Sequence, residues 1–208
     1  MFNQLFKSKY LSGSVLLLGL LSTALHVQAA TYVEGKDFTK VAGVPEVQKS
    51  IVREFFSYNC PHCYHQDTKI DEMVKQLDTN TAFERTPVGA GRPSWVLSQE
   101  AYYIAQKLKL TRQVHGEIFK QIHEKHAPFN HVSQLKAFYV AQGVTPELFD
   151  STMNSADMKF SLSNYDTQAQ LSGIRGVPAL LVNGQYLVSP AEHSAEELAD
   201  IVKYINTL

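Results

Sequence analysis

The sequence predicts an α/β chain ordered as β-α-β, then a long all-helical block, then β-β-α. Three observations predict it. The apolar period switches from strand to helix spacing near residue 60, an unbroken succession of helical signals runs from Trp95 to about Leu171, and an Asn-Gly pair joins two short apolar runs ahead of a final amphipathic helix.

Each element has a local reason. "SIVREFFSY" (residues 50–58) is rich in β-branched and aromatic residues and bounded by Pro45 and Pro61, so it reads as a buried strand. Ile70, Met73, Val74 and Leu77 recur at helical spacing, so a helix runs from Pro61 to about Leu77 with proline in its first turn. "TAFERTPV" (81–88) is the second strand and "VGAGRPS" (88–94) breaks the pattern. Five helical segments follow, with Ser133 and Thr145 (the latter before Pro146) as the capping residues between them. "VPALLVNGQYLVS" (177–189) is a hairpin turning at Asn183-Gly184. "SAEELADIVKYINTL" (194–208) is the closing helix, with Ser194 and Glu197 as a capping box.

The first thirty residues carry Lys7 and Lys9, an uncharged apolar run from Leu11 to Leu25, and small residues at 27–30. That is the pattern of a secretory signal peptide over residues 1–29, with an apolar core shorter than a spanning helix needs. The exported chain enters a compartment where disulfides persist. Its removal takes the basic count from 19 to 17 against 20 acidic residues, a net charge of −3 that argues against nucleic acid as a partner.

The only two cysteines stand in "FFSYNCPHCYHQ" (55–66). Cys60 falls where strand passes into helix, just before Pro61, where unpaired backbone N–H groups and the helix dipole favour a negative charge. His62 adds a hydrogen-bond donor or a charge beside the same sulfur, which lowers the thiol pKa. Cys63, one turn into the helix, is shielded, so an incoming thiolate attacks Cys60 and Cys63 leaves. A structural staple is the weaker reading, because so short a loop barely restricts the unfolded chain. Zinc is weaker too. Cys60, Cys63 and His65 supply three ligands of the four required, and "HGEIFKQIHEKH", with His123 and His126, reads as a solvated helical face. Phe56, Tyr58 and Tyr64 flank the site, either as core or as an apolar rim for unfolded chains, and Asn59 is assigned no role.

The element order, with C-x-x-C between the first strand and its helix, resembles a thioredoxin fold. "EFFSYNCPHCY" (54–64), "RGVPALLVNG" (175–184), the exported context and the inserted helices together resemble the DsbA family of bacterial periplasmic dithiol oxidases. The resemblance implies thioredoxin-like parts at 30–88 and 173–208 around a helical insert at 89–172. It also implies a periplasmic, cofactor-free and metal-free thiol:disulfide oxidoreductase, active as a monomer through its Cys60–Cys63 disulfide, with Pro61-His62 the dipeptide of the oxidase branch. Clients are unfolded or reduced exported proteins, and reoxidation comes from a quinone-linked inner-membrane protein of the DsbB type. Val177-Pro178 matches the family's cis X-Pro position, where the Val177 backbone pairs with an extended substrate segment. Glu54 and Asp67 match acidic positions of the family, and Arg85 falls where a basic partner belongs. From these follows an expected buried Glu54–Arg85 pair that relays protons to Cys63. Family thiols reach a pKa of about 3.5, which at pH 7 stabilises the reduced form by ~4.8 kcal/mol, or roughly 100 mV. An isomerase or reductase is the alternative within the same chemistry, and a non-redox metal-binding or chaperone-like protein the alternative outside it.

Overall fold

The computed structural model describes residues 31–48 and 50–208. The signal peptide expected at 1–29 lies outside the described residues.

A five-stranded mixed sheet forms from β1 (Thr39–Lys40), β2 (Ile51–Phe56), β3 (Ala82–Pro87), β4 (Ala179–Val182) and β5 (Tyr186–Val188), in the order β1-β5-β4-β2-β3. Only β2 and β3 are parallel, joined through helix α1 (Pro61–Val74). The other pairings are antiparallel. All six residues of β2 are buried, which fits the unbroken apolar run around its two charges and its place between β3 and β4. Helix α1 ends at Val74, slightly earlier than the apolar spacing predicts.

Helices α2 (Pro93–Lys107), α3 (Thr111–His123), α4 (Val132–Ala141), α5 (Pro146–Met153) and α6 (Ala156–Leu171) follow one another without an intervening strand. Thr145 caps α5, its hydroxyl accepting from the Leu148 amide at 3.2 Å. Ser133 does not cap α4. It lies inside the first turn, His131 is the N-cap residue, and Gln134 reaches back so that its Oε1 accepts from the amides of Asn130 and His131. Gln134 is an N3 glutamine in the capping-box sense.

The Asn183-Gly184 turn has both residues at positive φ, 50° and 70°, with the Gln185 amide donating to Val182 O at 3.1 Å. Gly184 is also required by a crossing chain: a Cβ there would sit 2.1 Å from Val44 O, and one on Gly43 would sit 1.7 Å from Gly184 O. A 3₁₀ turn (Pro190–Glu192) leads to α7 (Ala195–Ile205). Its capping box is formed, with Ser194 Oγ accepting from Glu197 N at 3.2 Å and Glu197 Oε2 from Ser194 N at 2.7 Å.

Two larger cores position the site. Val52, Leu180, Val182 and Val188 pack with Ile70 and Met73 of α1 and Leu198, Ile201 and Val202 of α7 on one sheet face. The helical block has its own core, Tyr102, Ile104, Ile118, Phe119, Leu135 and Phe149 among others. Phe56, Tyr58, Cys60 and Cys63 belong to that same cluster. The end of β2 and the start of α1 are thus buried by the inserted helices rather than by the sheet.

Candidate active site

Cys60 is the N-cap residue of α1, with extended backbone (φ −91°, ψ 116°), and its amide donates to Ser57 O at 3.0 Å. Pro61 follows at the first helical position, where its missing N–H costs nothing. The turn aims the Cys60 sulfur back over the helix start, so that the Cys63 amide donates to Sγ at 3.4 Å. Both cysteines are free thiols and buried, at 4% and 1% exposure. Hydrogen bonding from the Cys63 thiol, then from the backbone amides of Cys63 and His62, together with the charge of His62, lowers the Cys60 pKa to about 6 against the opposing effect of burial. Burial, reinforced by the neighbouring Cys60 sulfur, pushes the Cys63 thiol far up. One sulfur is therefore the stable thiolate and the other the stable thiol.

The shift at Cys60 has the expected direction but is smaller than the resemblance implies, because burial of the sulfur works against the donors. A pKa near 6 stabilises the reduced form at pH 7 by about 1.4 kcal/mol relative to an ordinary thiol, roughly 30 mV for the couple. His62 acts on Cys60 through both a hydrogen bond and its charge. Its ring is exposed and lines a cleft, and its hydrogen bond to Cys60 comes from the backbone amide rather than the imidazole.

The Val177-Pro178 peptide is cis, and Val177 O accepts from the Cys60 thiol at 3.4 Å. The loop 174–177 separates two clefts. One, about 400 Å³, is lined by Cys60, Val88, Arg92, Trp95, Ile174 and Arg175. The other, about 720 Å³, is lined by His62, Gln66, Val41, Leu187 and the opposite side of the same loop.

Behind the dithiol lies a set of buried charges. Parallel pairing places Glu54 opposite Arg85 on the α1 face of the sheet, and Arg85 Nε donates to Glu54 Oε2 at 2.7 Å. Arg85 also reaches Asp71 at 2.8 Å and Asp67 at 3.4 Å. Burial raises Glu54 to about 7 despite its guanidinium partner, so that its proton is exchanged near neutral pH. On the opposite sheet face Arg53 is held by Glu46 and Glu84 at 2.8 and 2.9 Å.

The structure adds residues the sequence reading passed over. His115 is buried, not part of a solvated face. It sits with Ile118, Phe119 and Ile122 on the apolar stripe of α3 and is hydrogen-bonded at both nitrogens. Its Nε2–H donates to Asp67 Oδ1 at 3.0 Å, and its Nδ1 accepts from the Tyr58 hydroxyl at 2.7 Å. Burial holds His115 below the usual histidine pKa. His123 donates from Nε2 to Tyr58 O at 2.8 Å and stacks on Tyr64 at 4.9 Å, so it too is engaged with protein rather than water. Asn59 is anchored to α2 through Nδ2, which donates to Ser94 O at 2.9 Å and to Ser98 Oγ. The turn carrying Cys60 is therefore gripped from both sides by the helical block. A histidine at i, i+3, i+4 and i+7 to apolar residues was the available signal for His115. Phe56 and Tyr58 are fully buried core residues, and Tyr64 is half-buried. Among the described residues no group of three or more His, Cys, Asp or Glu side chains is placed to hold a metal ion.

Comparison with known proteins agrees with this geometry. The family model described as a DSBA-like thioredoxin domain matches residues 92–203, a segment that begins after the dithiol. Longer relatives span the dithiol as well. The chain is 32% identical over 188 residues to the thiol:disulfide interchange protein DsbA of Burkholderia cepacia, covering 88% of each chain. It is 29% identical over 180 residues to the DsbA of Pseudomonas aeruginosa, covering 83% of this chain and 85% of that one. The crystal structure of Pseudomonas aeruginosa DsbA superposes with a TM-score of 0.76 at 27% identity, over 85% of this chain and 93% of that one. A Proteus mirabilis DsbA in complex with a non-covalently bound peptide, PWATCDS, superposes with a TM-score of 0.75 at 27% identity, over 86% of this chain and all of that one. With the thioredoxin-like sheet, the inserted helices and the C-P-H-C turn in place, the chain belongs to the DSBA-like thioredoxin domain family.

Proposed function

We propose that this protein is a thiol:disulfide oxidoreductase that donates its Cys60–Cys63 disulfide to exported proteins in the periplasm. A client thiolate attacks Cys60, the Cys60–Cys63 bond breaks, and Cys63 departs with the electron pair. A second client thiolate then attacks the client sulfur of the mixed disulfide and expels Cys60. The client loses two electrons and two protons and gains a disulfide, while the protein takes both electrons and ends with Cys63 as a thiol and Cys60 as a thiolate, the second proton passing to solvent above pH 6. The observation that carries this reading is the division between the two sulfurs: Cys60 is a stable leaving thiolate with a pKa of about 6, and Cys63 is a buried thiol.

The other residues take roles from their positions. Pro61 and His62 fix the first turn and its amide donors. Val177, beside cis Pro178, offers main chain to an extended client segment at the lip of the cleft containing Cys60. Glu54, buried and titrating near 7, supplies the proton that the departing Cys63 takes up; Arg85 holds its carboxylate in place, and Asp67 in turn pairs with Arg85. No organic cofactor or metal enters these steps, since the electrons rest on the two sulfurs. The protein acts as a monomer and is reoxidised by a quinone-linked inner-membrane protein of the DsbB type. The Proteus mirabilis relative that binds PWATCDS supports a short cysteine-bearing segment as the occupant of the site.

The test is a single-turnover reaction of the oxidised protein with a reduced two-cysteine peptide. Loss of one peptide dithiol per protein is expected, and Cys63→Ser should accumulate a Cys60 adduct with oxidised peptide. Absence of thiol transfer, or an adduct that forms as readily on Cys63 in Cys60→Ser, contradicts the proposal.

A further inference from the structure

Charge around the dithiol is segregated. Behind the dithiol, the buried Glu54, the partly buried Asp67 and the exposed Asp71 converge on Arg85. On the open side, the two clefts that flank the 174–177 loop are lined by Arg92, Arg175 and His62 and by no acidic residue. In a chain with 20 acidic against 19 basic residues this is a local reversal of the overall balance.

The arginines near the dithiol show the same division; the fifth, Arg112 in α3, is exposed and lines neither cleft. Arg53 is buried and Arg85 partly so, and each is held by two or more carboxylates. Arg92 and Arg175 are exposed, and neither has an ion pair among the described residues. Arg92 is held at the rim by its position at the start of α2 and by the face of Trp95, 4.8 Å from the guanidinium carbon. Between the two cations the cleft wall is apolar, formed by Val88, Trp95, Ile174 and Val177 beside Cys60. A guanidinium with no carboxylate partner among the described residues, beside an apolar slot, matches a carboxylate carried on an otherwise extended, partly apolar segment.

We propose that Arg92 and Arg175 are specificity residues that favour client segments bearing an aspartate or glutamate within a few residues of the reacting cysteine. The proposal rests on the oxidase reading above and names the client chemistry of that same cleft. Its effect falls mainly on productive encounter, since rim charges steer association more than they hold a complex.

The experiment uses the full oxidised protein and three two-cysteine peptides that differ only in the residues beside the reacting cysteine: aspartates, asparagines or lysines. Rates of peptide oxidation give kcat/KM at low ionic strength and again at about 1 M salt, where the Debye length falls to about 3 Å. The acidic peptide should be preferred over the basic one by roughly five-fold, the size expected of one or two exposed charge pairs. The preference should shrink below about two-fold in high salt and reverse in the double variant Arg92→Glu/Arg175→Glu, whose far-ultraviolet circular dichroism reports its folding. Equal rates at low salt, or a preference unchanged by the double substitution, overturn the proposal. Uniform oxidation of all three peptides removes this inference alone, whereas failure to oxidise any of them removes the oxidase reading itself.

Discussion

Replacing Cys63 tests what makes Cys60 a thiolate. The Cys63 thiol is the leading donor to the Cys60 sulfur, ahead of the Cys63 and His62 amides. Cys63→Ala removes that donor and leaves both amides. A hydrogen bond to a charged acceptor is worth about 1.5–3 kcal/mol, or about one to two pKa units. From about 6, Cys60 should therefore rise to between roughly 7 and 8. At pH 6, where half of the parent is thiolate, the thiolate fraction drops about five- to fifty-fold. Cys63→Ser restores a donor and should recover most of the shift. The assay is the pH dependence of Cys60 alkylation, with thiolate absorbance near 240 nm as a second readout. Rates should converge at high pH, where every variant is ionised. An unshifted Cys63→Ala profile, or an equal shift in Cys63→Ser, would refute the assignment of the thiol as leading donor and leave the helix start alone to explain the thiolate.

Three further outcomes follow from the buried groups. Glu54 is raised from 4.5 to about 7, so the folded protein holds that proton where the unfolded chain has lost it. Its contribution is full below pH 4.5 and disappears as pH rises through 7. Glu54→Gln should thus gain on the parent by about 3 kcal/mol between pH 4.5 and 7.5, read from urea midpoints at each pH. A constant difference across that range would contradict it. His115→Leu orphans the Tyr58 hydroxyl and leaves Asp67 Oδ1 with only its 3.4 Å contact to Arg85, and should cost about 1–3 kcal/mol at pH 7; it should also flatten the loss of stability that the parent shows as pH falls from 6.5 toward the lowered pKa of His115. Gly43→Ala should destabilise by more than about 1 kcal/mol because its Cβ meets Gly184 O, whereas Gly116→Ala in α3, with open space around it, should stabilise by about 0.5–1 kcal/mol. Thermal unfolding of both glycine variants checks that pair.

Much of the architecture was legible because it rests on local signals. Pro61 at a helix start, Asn183-Gly184 at positive φ, and the Ser194/Glu197 box each act within a few residues, and each stands where the pattern places it. The Glu54–Arg85 contact was legible by a longer route, since two adjacent parallel strands in the right register bring residue 54 opposite 85. What escaped depends on packing between distant segments. His115 meets Tyr58 and Asp67 only because α3 docks on the active-site turn, 48 or more residues away in sequence. Read alone, "HGEIFKQIHEKH" shows histidines without showing which of them face inward. Asn59 likewise acquires partners only once α2 is in place. The burial that opposes the Cys60 shift was hidden for a related reason: the helix start is visible in sequence, but that burial is a product of the helical block.

The central claim, that the reduced form is favoured because Cys60 is a thiolate opposite a buried Cys63 thiol, is tested most directly by titrating the couple against glutathione from pH 5 to 8. A potential only about 20–30 mV above the ~−270 mV of thioredoxin is expected from a Cys60 pKa of about 6. Its slope should change near pH 6, from about 59 to about 30 mV per pH unit, as the second proton ceases to be taken up. A potential at or below that of thioredoxin, or a slope of about 59 mV per unit across the whole range, would contradict the account.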